Sequence, residues 1–436
     1  MAFMGMRGDG DWTANQRPEN WREVILYEFP NGDAPITAIL SMMPTEKTDD
    51  SVFHWWTKRL PGQAGAVSGV YIDAGLSTAY VYASHQSTFG AAGATVYVKV
   101  AEALAKEFRA GHQVLLRDSD RWDVDVVGKV TAVVYNGSNS YMAVKLLEDD
   151  DNSADSSNYN LSTVDRIIII GNINPQGGPI PRAIAYDPVE FVNYTQIFRS
   201  PLEITRTAKK THLRTGDAYQ EAKKEALRLH SIEQEKALIW GVLSSTIGAN
   251  GKPERTFDGI LSFLRKYATN PSQSLDNFAL NSDYSGQSWL DAGEDWLDEK
   301  LEYLGTYAPS EVIALCGAGA LTGLHKLAKH LGNIQLAPGP RKTYGITFTT
   351  WLNPHITVHL KKHPLLSREP STAHTMVLFS PKNIKMRILD DTKFLPEREA
   401  RGVDGSVEEY LSELGPEFHF PDQFMVLDGV GQDNNL

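Results

Sequence analysis

Between Asp217 and about Ser245 the apolar residues Tyr219, Ala222, Ala226, Leu229, Ala237 and Trp240 fall at three- and four-residue steps. That repeat is one face of an α-helix. A helix from Asp217 to Trp240 would be about 36 Å long at about 1.5 Å per residue. Its other faces carry Glu221, Lys224, Arg228, Glu233 and Lys236, so it should lie across a surface with a solvated or polar side. Thr215 or Asp217 can cap its start, because a short side-chain oxygen accepts from the first free amides. Gly248 is the expected stop.

The segments on either side of this helix read differently. Residues 70–170 are mainly strand-like, with short runs at Tyr80–Tyr82, Thr95–Val98, Gln113–Leu116, Trp122–Val127, Lys129–Tyr135, Tyr141–Leu147 and Arg166–Ile170. Asn136-Gly137 is a hairpin turn candidate. Short strands between turns suggest a small sandwich or barrel. After the helix, Phe257–Tyr267, Gly293–Leu304 and Ala320–Leu331 read as helices and Glu311–Cys316 as a strand. Strands return at Ile346–Leu352, Ile356–Leu360, Thr375–Phe379, Ile384–Leu389 and Phe424–Leu427. At the front, residues 1–20 read as a polar, glycine-rich arm. A short helix at Arg22–Phe29 is followed by the turn Pro30-Asn31-Gly32-Asp33 and by the aromatic β-prone run Val52–Trp56.

Size and charge restrict the function classes. At roughly 100–200 residues per domain, 436 residues suggest two or three domains or lobes. The net charge of −12 is wrong for a chain built mainly to wrap phosphates, which needs Lys and Arg to displace counterions. Cys316 is the only cysteine, which excludes an internal disulfide and a cysteine-rich zinc cluster. It suits a reducing compartment. No apolar stretch approaches the roughly 18–20 residues of a bilayer span. Met1 to Asn20 lacks the apolar run of a secretory leader, so none is expected.

Several motifs resemble chemistry and fail on spacing. Gly317, Gly319 and Gly323 follow a strand and open a helix, as a dinucleotide fingerprint does. The third glycine should stand at 322, which is Thr322, and no ribose-binding acid follows about 20 residues on. A tight strand-to-helix turn is the simpler reading. His355, His359 and His363 are spaced by four and would share one face of a strand. Three histidines can hold a metal, but no carboxylate lies among them and Pro354 and Pro364 bracket the run. His325 and His330 are five apart on a helix and face different ways. Asp149-Asp150-Asp151 lacks the glycine and terminal glutamate of a calcium loop. The stretch Glu148–Asn158 reads as a solvated loop. Arg7-Gly8-Asp9 is too short a match to an adhesion tripeptide to carry weight. There is no Gly-x-Ser-x-Gly elbow, Walker loop or His-Glu-x-x-His. No catalytic, cofactor-binding or metal residue is therefore assigned, no cofactor is expected, and an enzyme is not.

The element order is the informative feature: polar arm, β-rich excursion, long charged helix, mixed α/β lobe, strand-rich return. Local strings add to it. They include Pro30–Leu40, Phe53-His54-Trp55-Trp56, Phe191–Phe198, Leu202–Ala208, Thr215-Gly216-Asp217 and Glu235–Gly241. Tyr344-Gly345-Ile346 with Trp351 through Leu366 completes them. In this order they resemble the major capsid proteins of tailed bacteriophages, of the Hong Kong 97-type fold. Within these the chain is similar to the family whose extended loop carries a β-rich insertion. The 191–241 block is the most specific part of the likeness, which is weakest over 75–165 and 265–300.

The resemblance implies an α+β capsid fold: N-terminal arm 1–58, extended loop with β-rich insertion 59–190, peripheral domain with spine helix 191–255, axial domain 256–344, and returning strands with the C-terminus 345–436. It implies self-assembly into pentamers and hexamers of an icosahedral head around double-stranded DNA, touched non-specifically on the inner face. Portal and scaffolding or decoration proteins would be partners, and no membrane. The chain would be made and assembled in the host bacterial cytoplasm and reside in the virion. Some relatives crosslink through a lysine and an asparagine; no matching positions stand out, so no crosslink is expected. No scaffold-like helical segment precedes the arm, so a separate scaffolding protein, or none, is expected. Two rival readings are another virion component, such as a tail or decoration protein, and a soluble nucleotide or metal enzyme.

Overall fold

A computed structural model describes residues 45–58, 62–120, 125–150, 160–178, 180–211, 217–330, 337–343, 346–400 and 402–436. Residues 1–44 of the arm, with the helix expected at Arg22–Phe29 and the tripeptide at 7–9, lie outside the described residues. The chain divides into two compact units: Lys58–Val189, and Glu190–Leu436 together with the described part of Met1–Thr57.

The unit Lys58–Val189 contains a closed six-stranded barrel. Around it run Ala64–Tyr71, Thr95–Val100, Tyr141–Leu146, Asp125–Val134, His112–Arg117 and Arg166–Asn172, every pairing antiparallel. Closure leaves no exposed strand edge. Side chains alternate inward and outward with period two. Val96, Val98, Val100, Val114, Leu116 and Val130 therefore line one continuous core with almost no exposure. The Asn136-Gly137 turn joins two neighbouring strands, with Gly137 at φ 54°, where glycine pays no Cβ penalty. The strand expected at Tyr80–Tyr82 is instead the entry to a helix, Tyr82–Phe89. Tyr80 is pulled inward, its hydroxyl donating to Asp150 Oδ2 at 2.6 Å.

That contact also revises the acidic run. Asp150 is buried, and its Oδ1 accepts from the Leu161 amide at 3.0 Å. Asp149 accepts from the Ala92 amide and Glu148 from the Val127 amide, both at 2.6 Å. Asp150 is thus drawn inward where a solvated loop was expected, whereas Asp149 stays exposed and Glu148 half-buried while each caps a backbone amide. Residues 151–158 of that run lie outside the described residues.

Among the described residues the other unit has two larger sheets and two two-stranded pairs. In the smaller of the two sheets, Glu46–Lys47, Ile384–Leu395, Gly405–Phe418 and Gln196–Thr205 lie side by side in that order. The long helix, Ala218–Trp240, starts where expected: the Asp217 carboxylate accepts from the Tyr219 amide at 2.9 Å. Its inward face, with Ala226, His230, Gln234 and Leu238, is buried. His230 joins helix to sheet, its Nδ1 3.0 Å from Ser200 Oγ and its Nε2 2.8 Å from Ser412 Oγ. The helix stops at Gly241, not Gly248. A Cβ on Gly241 would lie 2.8 Å from the Phe257 carbonyl oxygen, so only glycine lets the chain turn there.

The larger sheet has seven strands in the order Leu275–Asn277, Met425–Asp428, Met376–Phe379, Glu311–Cys316, Thr357–Lys362, Ile346–Leu352 and Ala337–Thr343. Alternation splits the central strand between two cores. Val312, Ala314 and Cys316 pack with helices Trp289–Tyr307 and Ala318–His330. Ile313 and Leu315 pack on the opposite side with Phe263, Phe379 and Phe418. That second core also takes in Phe53, Trp55 and Phe191, whose strands Val52–Thr57 and Val189–Tyr194 form a small pair. Trp55 fixes it to the smaller sheet by donating from Nε1 to the Phe418 carbonyl at 2.9 Å.

Candidate interaction surfaces

The sequence's candidate residues do not converge. Among the described residues no group of three or more His, Cys, Asp or Glu is arranged to hold a metal. His355 is exposed before its strand, and His359 Nδ1 lies 3.4 Å from Thr350 Oγ1. His363 is fully buried and 2.8 Å from Glu235 Oε1. His325 and His330 are exposed on their helix. Cys316 is enclosed, and burial pushes its thiol far above the usual range, away from the reactive thiolate.

The glycines of 317–323 have a packing role. The Ala320 amide donates to the Ala373 carbonyl at 3.0 Å, the position a bound phosphate would need. A Cβ on Gly317 would meet that same carbonyl at 2.2 Å, and one on Gly323 would meet Gly431 Cα at 2.4 Å. The space over this turn is filled by the chain itself.

What the unit Glu190–Leu436 does present is surface. After Gly241 the strands Ser244–Ile247 and Pro253–Thr256 form a hairpin whose first strand is exposed throughout, with Ile247 80% exposed. A two-stranded ribbon is marginally stable by itself. The sequence carries its signal, Asn250-Gly251 after the Ser244-Ser245-Thr246 run, with Gly251 at φ 71°. That signal was masked by reading the helix through to Gly248. An open cleft of about 520 Å³ lies at the hairpin's base, lined by Ser51, Thr195, Ile197, Arg255 and Glu413. Thr195 Oγ1 donates to Glu413 Oε1 at 2.8 Å, and the Arg255 guanidinium donates to Ser51. Its polar groups are satisfied by one another, the arrangement of a structural seam and not of a nucleophile with a base.

The strand Gly405–Phe418 makes a second polar seam. Tyr219 donates to Glu408 Oε2 at 2.6 Å, and that bond, with burial, pushes the phenol up to about 12. Arg199 Nε donates to Glu409 Oε2 at 2.8 Å. The Lys385 ammonium, hydrogen-bonded to Glu46, holds that carboxyl below the usual range. These pairs stitch helix to strand at Tyr219 and strand to strand at Arg199 and Lys385.

These charged pairs join elements of one fold, and the family that the chain matches is one of structural shell proteins. The chain belongs to the SU10 major capsid protein family, whose model matches residues 9–431. The major capsid protein of Pseudomonas phage PaMx41 is 24% identical over 240 residues, 54% of this chain and 55% of that protein. The chain thus spans about 55% of the length of the curated relative it matches. Among solved structures, Mycobacterium phage Bobi is similar at 8% identity and TM-score 0.42, covering 97% of this chain and 94% of that one. The capsid of Cyanophage P-SCSP1u is similar at 12% identity and TM-score 0.37, covering 59% and 79%.

Proposed function

We propose that this chain is the self-assembling shell subunit of an icosahedral phage head, of the Hong Kong 97-type fold, forming pentamers and hexamers around double-stranded DNA. The observation that carries the reading is the family match across residues 9–431. The arrangement of elements supports it. The barrel of Lys58–Val189 has its own core and suits an extended loop, 59–190, with a β-rich insertion. The helix Ala218–Trp240 suits a spine of the peripheral domain 191–255. The sheet-and-helix lobe suits an axial domain 256–344, and the returning segment 345–436 suits completion of the peripheral sheet, with Ile384–Leu395 and Gly405–Phe418 beside Gln196–Thr205.

Assembly needs large surfaces rather than a pocket, because buried apolar area supplies most of the association free energy. Of an arm at residues 1–58, the part before Glu46 would lap onto a neighbour, since Phe53 and Trp55 pack in this subunit's own core; that increases the buried area at the cost of ordering the arm. Portal, scaffolding or decoration proteins and the inner DNA would be the other partners. The subunit would assemble in the bacterial cytoplasm and remain in the virion, without catalytic activity and without a crosslink. The test is expression of the full chain, alone and with its phage's scaffolding candidates, followed by negative-stain imaging. Rings of six and closed shells are expected; tubes would indicate a tail protein, and persistent monomers in both arms would sink the reading.

A further inference from the structure

Two helices in the unit Glu190–Leu436 carry opposite charge on their outer faces. Trp289–Tyr307 holds six acids and a single lysine. That lysine, Lys300, is turned inward, 4% exposed and 3.0 Å from Asp276. Asp291, Asp295, Asp298 and Glu302 recur at four, three and four residues and are all exposed, so they form one acidic ridge opposite Trp289, Trp296 and Leu304. Ala318–His330 contains no acid at all. Its exposed residues include His325, Lys326, Lys329 and His330, on the side away from the buried Leu324, Leu327 and Ala328. The two helices pack in one core on the same face of the seven-stranded sheet, so a single subunit displays both signs close together.

We infer that the acidic ridge of helix Trp289–Tyr307 in one copy docks against the basic ridge of helix Ala318–His330 in a second copy. The occupant is another copy because the complementary surface is on this chain. The inference rests on the shell reading for its ring geometry, but the contact itself needs only two copies. Unlike ridges meeting side by side can propagate head to tail, the mode that closes rings. Charge complementarity of this kind sets register and rejects wrong pairings more than it adds affinity. Being exposed, it is screened once the Debye length falls to about 10 Å near 0.1 M salt.

The test uses the full chain in two charge-reversed forms. One carries D291K, D295K and E302K, making both ridges basic; the other carries K326E and K329E, making both acidic. Self-association is followed by sedimentation at low and high salt, with negative-stain images of the products. The wild-type chain is expected to self-associate more weakly as salt rises, and each variant alone to associate about tenfold or more weakly than it. An equimolar mixture of the two should recover association, because each variant now complements the other. The mixed rings must alternate, so hexamers return and pentamers do not. A chain carrying both sets of changes should recover both. Wild type that stays monomeric at low salt, variants that associate like wild type, or a mixture that fails to recover would each overturn the inference. Normal shells from both variants would overturn it while leaving the shell reading intact. Salt-sensitive rings that never close into shells would uphold it and sink the shell reading.

Discussion

His363 Nε2 lies 2.8 Å from Glu235 Oε1, and neither side chain has any exposure to solvent. His363 Nδ1 accepts from the Leu366 amide at 3.3 Å, which leaves Nε2 to carry the proton and donate it to the carboxylate. One pair thus ties the long helix to the start of the short helix Pro364–Arg368. Removing His363 takes one partner from a carboxylate held in the core. His363→Ala is expected to destabilise the free subunit by about 3–5 kcal/mol in urea unfolding. Replacing both, with Glu235→Leu and His363→Leu, should recover part of that loss, because no buried charge remains; the helix cap is still lost. A single mutant within about 0.5 kcal/mol of wild type, the range of ordinary surface changes, would show the pair to be dispensable.

Gly323 and Thr322 should respond in opposite directions to alanine. Inside a helix, Gly→Ala ordinarily gains about 1 kcal/mol from propensity. Here the new Cβ would stand 2.4 Å from Gly431 Cα, a backbone atom that cannot swing aside. Forcing atoms into a packed site costs about 1–3 kcal/mol, so the clash outweighs the propensity gain. Gly323→Ala is expected to lower the thermal midpoint. Thr322→Ala, at an exposed position of the same turn, should leave it unchanged or raise it. A raised midpoint for Gly323→Ala would mean that the approach to Gly431 is looser than described.

These residues mark where the sequence was legible and where it was not. The barrel strands were readable because Val96, Val98 and Val100, or Val114 and Leu116, alternate with period two on one buried face. The long helix was readable from its apolar steps and its Asp217 cap. The strand Gly405–Phe418 was missed, although it pairs along its length with Gln196–Thr205 and Ile384–Leu395. Its Glu408, Glu409, Glu413 and Glu417 look like a solvated run. Their partners Tyr219, Arg199, Thr195 and Arg387 are remote in sequence, and only the tertiary fold brings them together. The spacing of His355, His359 and His363 suggested one face, but His355 precedes the strand and His363 follows it. The two charged ridges were within reach of helical periodicity, but their adjacency depends on the shared core.

Acidification should weaken the free subunit through its buried histidines. Burial holds His230 below its ordinary value of 6.5. Burial, with the Arg109 charge, does the same for His112. For such groups the unfolded chain binds more protons than the folded one between the depressed value and 6.5, so stability rises with pH across that window. Their contribution is fully present above pH 6.5 and is lost as the pH falls toward the depressed values. Each histidine contributes a slope of at most about 1.4 kcal/mol per pH unit. His230→Gln should remove one share of that slope while His112 retains the other. Urea midpoints from pH 8 to pH 5 measure it, and a flat profile in wild type would contradict the burial argument.

The barrel unit should fold by itself. Its core is drawn from its own strands, and its six strands close without an edge that needs covering. Residues 58–189 expressed alone are therefore expected to give dispersed amide signals and one cooperative unfolding transition. Tyr80 tests the reading further, because its hydroxyl is one of the donors to the buried Asp150 carboxylate. Burial and that hydrogen bond together push the Tyr80 phenol far above its usual range. Tyr80→Phe removes the donor while keeping the ring, and should cost about 1–3 kcal/mol by leaving an acceptor less satisfied. Adding Asp150→Asn should cost less on the Tyr80→Phe background than on wild type, since the two changes break the same contact. Strictly additive losses would show that Tyr80 and Asp150 stabilise the barrel through separate partners, and an unfolded fragment would show that its core depends on the rest of the chain.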